Sequence, residues 1–172
     1  MNPTSLLKFV FLGVVVVAVM FATIGTGVPV FTRSANNCLQ EISLWMINDI
    51  CISTSKWVPI SGSGYCTSRQ SMFYTGSAFA IITIFFTTLA IVTGIAALRC
   101  ECSVKIPAII FSVCGVIGAI VTVAIEAALF HREYCQGQFG FNNTHVYGAS
   151  LPLFVIAGFL DLVGTVVAAI GL

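Results

Sequence analysis

Apolar residues run along this chain in four long blocks. Phe9 to Thr32 and Gln70 to Leu98 carry no charge, Ile106 to Ile125 is equally clean, and Val146 to Leu172 holds a single acid, Asp161. Each block reaches or exceeds the roughly 20 residues that a helix needs to cross the hydrocarbon of a bilayer. A backbone in lipid must satisfy its own hydrogen bonds, so the blocks predict helices rather than open strands. Their limits fall at about 6–29, 72–98, 106–130 and 147–171, leaving long intervals at about 30–71 and 131–146 and a short connection at 99–105. The first block follows Lys8 and resembles a signal peptide, but its apolar core of about 20 residues is too long for one. It is read as a retained helix that Gly25, Gly27 and Pro29 bring to an end. The expected fold is one all-α domain over 1–172, an antiparallel four-helix membrane bundle.

The first long interval has a pattern of its own. Cys38 to Cys51 is half apolar, with Ile42, Leu44 and Met46 alternating against Ser43, Trp45 and Ile47. That alternation predicts a strand around Ile42–Met46. Asn48-Asp49 reads as a turn, because both side chains bond the backbone locally. A returning strand over Cys51–Val58 would complete a small outer sheet.

Composition agrees with a membrane class. Hydrophobic residues make up 58% and charged residues 8% of 172, against roughly 25% charged in a soluble domain. A net charge of +1 offers no basic field for nucleic acid. Orientation follows from cation density: Arg99 and Lys105 bracket the short connection and Lys8 shares its side, whereas Arg33, Lys56, Arg69 and Arg132 are spread over the long intervals. Both termini are therefore expected in the cytoplasm, with the long intervals outside. The Asn142-Asn143-Thr144 glycosylation pattern and four cysteines in those intervals agree with this.

Four outer cysteines allow three pairings. The second and third helices share the short inner connection; Cys66 lies 33 residues from Arg99 and Cys135 lies 30 from Lys105. At about 1.5 Å per helical residue the two thiols emerge nearly level, which predicts Cys66–Cys135 and, by exclusion, Cys38–Cys51. A turn at Asn48-Asp49 would instead place Met46 opposite Cys51. At the inner surface, Cys100-x-Cys102 lacks companions for a metal and suits palmitoylation or free thiols. Cys114 reads as a small apolar residue, and His131 and His145 lack a ligand set for zinc.

Two acids lie within the apolar blocks. An ionised carboxylate at the depth of Asp161 costs roughly 2.5–3.5 kcal/mol on insertion scales. Asp161 is therefore expected to be protonated or bonded to Thr83, Thr87, Thr88 or Thr122. Glu126, near the outer end of the third helix, is placed within reach of His131 or Arg132. Both acids read as interhelical hydrogen-bonding groups; the alternative makes them stations of a proton or cation path. Gly115-xxx-Ala119 and Gly164-xxx-Ala168 read as close-packing faces.

The long first interval with a Leu-Trp pair and nearby cysteines resembles the claudin-like four-helix group, in which that loop forms a small sheet. A closer resemblance, over nearly the whole chain, is to the amastins, small surface proteins of trypanosomatid parasites. The amastin signature runs Cys, any, Thr/Ser, Leu/Phe, Trp, Gly, with a Cys six residues after the Trp. Ser43, Leu44, Trp45 and Cys51 stand in those places, while Glu41 replaces the first cysteine, Met46 the glycine, and Asn48 a residue usually basic or Gln. Cys66, Arg69 and Phe73, then Tyr147-Gly148-Ala149 and Phe159-Leu160-Asp161, resemble later family positions. The claudin analogy offers a rival pairing, Cys51–Cys66. What the resemblance implies is a surface protein without enzymatic activity or cofactor, linked to host contact. Its expected partners are membrane lipid, further copies in a lateral homo-oligomer, and a host or surface protein or lipid ligand. A small channel or transporter using Glu126 and Asp161 is the alternative. A thiol oxidoreductase would need a Cys-x-x-Cys, which the chain lacks.

Overall fold

The computed structural model describes residues 3–35, 38–51, 54–99, 104–134 and 140–171. Four helices dominate: α1 (Pro3–Gly27), α2 (Thr67–Arg99), α3 (Lys105–His131) and α4 (Ser150–Gly171). All four are long and apolar enough to cross a membrane. Each packs against two others, α1 on α2 and α4, α3 on α2 and α4, which closes a four-membered antiparallel bundle. Their lipid-facing sides carry exposed Phe9, Met20, Phe85, Val92, Ile120 and Phe159, as a hydrocarbon solvent requires. At the end away from the sheet, Lys8 Nζ donates to Ala97 O at 2.7 Å, a cation closing the C-terminal carbonyls of α2.

Between α1 and α2 lie β1 (Phe31–Ala35), β2 (Cys38–Ile42), β3 (Met46–Cys51) and β4 (Thr54–Pro59). A fifth strand, β5 (Val146–Tyr147), joins from the second long interval, giving the order β4-β3-β2-β1-β5, with every pairing antiparallel. One face carries Phe31, Ile42, Ile47 and Val58 toward the helix ends, where Phe31, Ile42 and Ile47 join Phe73, Leu129 and Phe141 in one core. The other face carries Leu39, Met46, Ile50 and Trp57, all exposed.

The sheet differs from the sequence reading in register. Ile42–Met46 is not a strand: Ile42 ends β2, Met46 starts β3, and Ser43–Trp45 make the turn. Asn48-Asp49 is not a turn but the middle of β3. Cross-strand partners override the local preference, since Asn48 Nδ2 donates to Glu41 Oε2 and Gln40 Nε2 donates to Asp49 Oδ1. The returning strand expected from Cys51 begins at Thr54, with 52–53 outside the described residues. Helix 4 begins at Ser150 rather than 147, because Val146 and Tyr147 pair with Thr32 and Phe31. Gly148 permits this: its N–H donates to Val30 O at 2.7 Å, and any Cβ there would collide with the Pro29 carbonyl. Helix 2 starts five residues before the expected Met72, so its first turns reach beyond the bundle to support the sheet.

Candidate functional site

The Ser43–Leu44–Trp45 turn fastens the sheet to the bundle. Ser43 Oγ accepts from the N–H groups of Trp45 and Met46, which closes the turn without a glycine. Leu44 is 1% exposed and reaches between the helices, against Gly76 of α2. Ser77 Oγ donates to Leu44 O at 3.0 Å. Trp45 Nε1 donates to Thr26 O near the end of α1, and Ile60 N donates to Trp45 O. One turn thus holds α1, α2 and the approach to α2 together.

At the far end of the same hairpin, Cys38 and Cys51 face each other in register, with Cα atoms 4.3 Å apart, and are joined by a disulfide. Moving the turn from Asn48-Asp49 to 43–45 is what brings them opposite. Cys66 is also disulfide-bonded, and its Sγ lies 3.9 Å from Tyr134 O; Cys135, the partner expected from helix counting, lies outside the described residues. Cys100 and Cys102 lie outside them too. Cys114 is a free thiol within α3.

Between these two ends the core-facing side of the sheet opens into a cavity of about 380 Å³. Gln40, Asp49, Ser63, Tyr65, Arg69, Thr144 and His145 supply its polar lining, and Ile47, Val58 and Phe141 its apolar part. A second recess of about 270 Å³ adjoins it past Arg33 and the Cys38–Cys51 bridge. The polar groups form a chain from the second long interval to the hairpin. Gln40 Nε2 donates to Asp49, so Oε1 faces His145 Nε2 at 3.0 Å and must accept from it. The imidazole therefore carries its proton on Nε2, leaving Nδ1 to accept from Thr144 Oγ1 at 2.6 Å. Burial, with Arg33 and Arg69 nearby, pushes His145 down to about 4 and keeps it neutral. Burial likewise pushes Tyr65 up to about 12. Arg69 packs its guanidinium over the Phe141 and Tyr65 rings, at 4.8 and 5.4 Å. Asn142 is exposed on the short 3-10 turn leading into Thr144.

The two acids within the bundle are both fully buried. Thr87 Oγ1 of α2 donates to Asp161 Oδ2 of α4 at 2.9 Å. This bond passes over Gly115 of α3, where a Cβ would lie 2.6 Å from the carboxylate. Glu126 does not meet His131 or Arg132 as expected; Ser150 Oγ donates to its Oε1 at 2.7 Å. The start of α4, displaced by β5, is what delivers that serine. Each acid thus ties α4 to another helix. Ala119 meets Gly158 closely, and Gly164 lies against Val15 of α1.

Gln40, Ser77, Ser150 and the placement of His145 escaped sequence reasoning. Each partner pair is separated by 24 to 105 residues, and no local pattern announces such bonds. A family model described as amastin surface glycoprotein matches residues 16–168 of the chain. Among curated proteins none matches the sequence.

Proposed function

The chain belongs to the amastin surface glycoprotein family, and on that footing we propose a non-enzymatic protein of the plasma membrane with both termini cytoplasmic. The four helices anchor it, and the disulfide-tied sheet serves surface organisation or contact with a host or neighbouring partner. One observation carries this reading: the sheet is fixed to the bundle by Leu44, Trp45 and Ser77, yet presents Leu39, Met46, Ile50 and Trp57 outward. A rigidly held apolar face suits recognition, since little ordering is left to be done on contact. Glu126 and Asp161, each with a hydroxyl partner and packed on all sides, act as interhelical ties rather than as stations of an ion path.

Orientation is tested on intact cells with a membrane-impermeant amine reagent and peptide mapping. Lys56 should be modified, and Lys8 and Lys105 spared; the reverse pattern refutes the topology. Contact is tested with a photo-crosslinking residue in place of Trp57. Protein adducts that disappear with Leu39→Ser and Ile50→Ser are expected, and adducts to lipid alone count against the reading. Proton or cation flux in liposomes that is abolished by Glu126→Gln with Asp161→Asn would support the channel alternative instead.

A further inference from the structure

The seam between α3 and α4 opens on its lipid-facing side into a trough of about 390 Å³. At its floor Ala119 is buried, and a Cβ on Gly158 would lie 3.0 Å from that of Ala119, so the two backbones approach closely there. Its rims are Ile120, Phe159 and Leu162, all strongly exposed. Every lining side chain is apolar. The trough also has a definite depth in the membrane. Val116 and Leu162, its inner limits, lie within two residues of the midpoints of α3 and α4; Ala124 and Phe154, its outer limits, lie about two turns nearer the sheet. At about 1.5 Å per residue the trough runs roughly 12 Å from the middle of the bundle toward the sheet. That length fits within one leaflet, half of a hydrocarbon core roughly 30 Å thick. No water is available at this depth. A helix of a second copy would cross both leaflets, whereas the trough stops at the middle. A single hydrocarbon chain entering from the sheet side matches its length and its composition.

The sheet-side end of the seam supplies a place for a headgroup. Ala127 and His131 continue the line of Ile120 and Ala124 along α3 at helical spacing. Tyr147, three residues before α4, stacks on Phe130 with ring centroids 4.0 Å apart and meets the His131 ring at 6.5 Å. An aromatic bridge thus closes the seam where α3 ends, as amphipathic rings do at the membrane–water interface. Arg132 and Glu133 follow His131, both exposed. One charge of each sign complements a zwitterionic headgroup, phosphate toward Arg132 and ammonium toward Glu133, and favours no net-charged one. Glu126, the acid nearest to this end within the membrane, is engaged by Ser150 and takes no part. We propose that the α3–α4 trough binds a zwitterionic phospholipid of the sheet-side leaflet, with one acyl chain between Ile120 and Phe159 and the headgroup at the level of Tyr147, His131 and Arg132. The site lies in the bundle and is independent of what the sheet contacts.

The test uses the full chain, purified in mild detergent, stripped of lipid and supplied with dioleoylphosphatidylcholine. Native mass spectrometry should show one phosphatidylcholine kept per chain at collision energies that remove the rest, with phosphatidylglycerol kept at least fivefold less. A phosphatidylcholine carrying a diazirine in its acyl chain should crosslink to the stretches 116–124 and 154–162. Ala124 is exposed, so Ala124→Trp puts its ring in the trough without entering the core. It should lower retention at least tenfold with the lipid-free melting temperature unchanged, and Arg132→Ser should lower it several-fold. Val92→Trp, an equal addition to the exposed face of α2, should leave retention as it is. The crosslink map uses the unaltered chain, so it decides the matter even if the Ala124→Trp protein fails to fold. Several results overturn the proposal: adducts spread evenly over the four helices, retention indifferent to Ala124→Trp or lost equally in Val92→Trp, or preference for phosphatidylglycerol or a sterol. A dimer that Ala124→Trp dissociates overturns it as well, in favour of a second copy.

Discussion

The two ends of the β2–β3 hairpin are secured by opposite means. At the turn, Ser43–Trp45 is held by the burial of Leu44 and by bonds to helices 19 and 33 residues away. At the open end, away from the helices, the strands are held by the Cys38–Cys51 bond. Where apolar packing is within reach, the chain uses it; where the sheet projects into water with too little core of its own, a covalent link replaces it. The difference predicts that the turn governs docking of the sheet while the disulfide governs its internal order.

Truncating the buried plug should be the most damaging single change. Leu44→Ala leaves a cavity against Gly76 and should cost about 3–5 kcal/mol, read as a fall in the melting temperature in detergent. The fluorescence of Trp45 should report solvent exposure at the same time, since its ring loses its seat. A destabilised protein with unaltered Trp45 emission would break the link between plug and docking. Cys38→Ser with Cys51→Ser opens a loop whose ends are 13 residues apart and should cost about 3 kcal/mol. Here the Trp45 signal should hold while amide exchange in β2 and β3 accelerates.

Replacing the tie inside the bundle should matter less. Asp161→Leu loses the Thr87 bond and should cost about 1–2 kcal/mol, whereas Asp161→Asn keeps an acceptor and should cost under about 0.6 kcal/mol. Equal damage from the two variants in thermal unfolding would remove the hydrogen-bonding role. The remaining expected effect is on pH. His145, neutral with a folded value of about 4 against an ordinary 6.5, binds fewer protons in the folded state than in the unfolded state between those values. Its contribution is complete above about 6.5 and falls away as pH drops toward 4. His145→Gln should flatten the stability profile in that window, and an unchanged slope refutes the assignment.

How much could be read in advance follows a physical division. The four helices were legible because hydrocarbon imposes a length and forbids unpaired backbone, so about 20 apolar residues carry the instruction locally. The importance of Leu44-Trp45 was legible from the signature resemblance, but its part as a turn was not. Alternation across Ile42–Met46 suits a strand, and only the helices beneath can reward turning there to bury Leu44. Asn48-Asp49 misled for the complementary reason: their turn preference is weaker than the cross-strand bonds to Glu41 and Gln40.

The sequence by itself determined the membrane class, the number of spans, the burial of Asp161 and a cysteine-tied polar interval, because each follows from solvent or from short-range spacing. Tertiary structure alone decided the strand register, the late start of α4, Ser150 as the partner of Glu126, and the cavity walled by Gln40, Ser63 and His145. These depend on which distant backbones come within hydrogen-bonding range. That is settled only when the helices pack closely enough, over Gly115 and at Gly148, to bring them there.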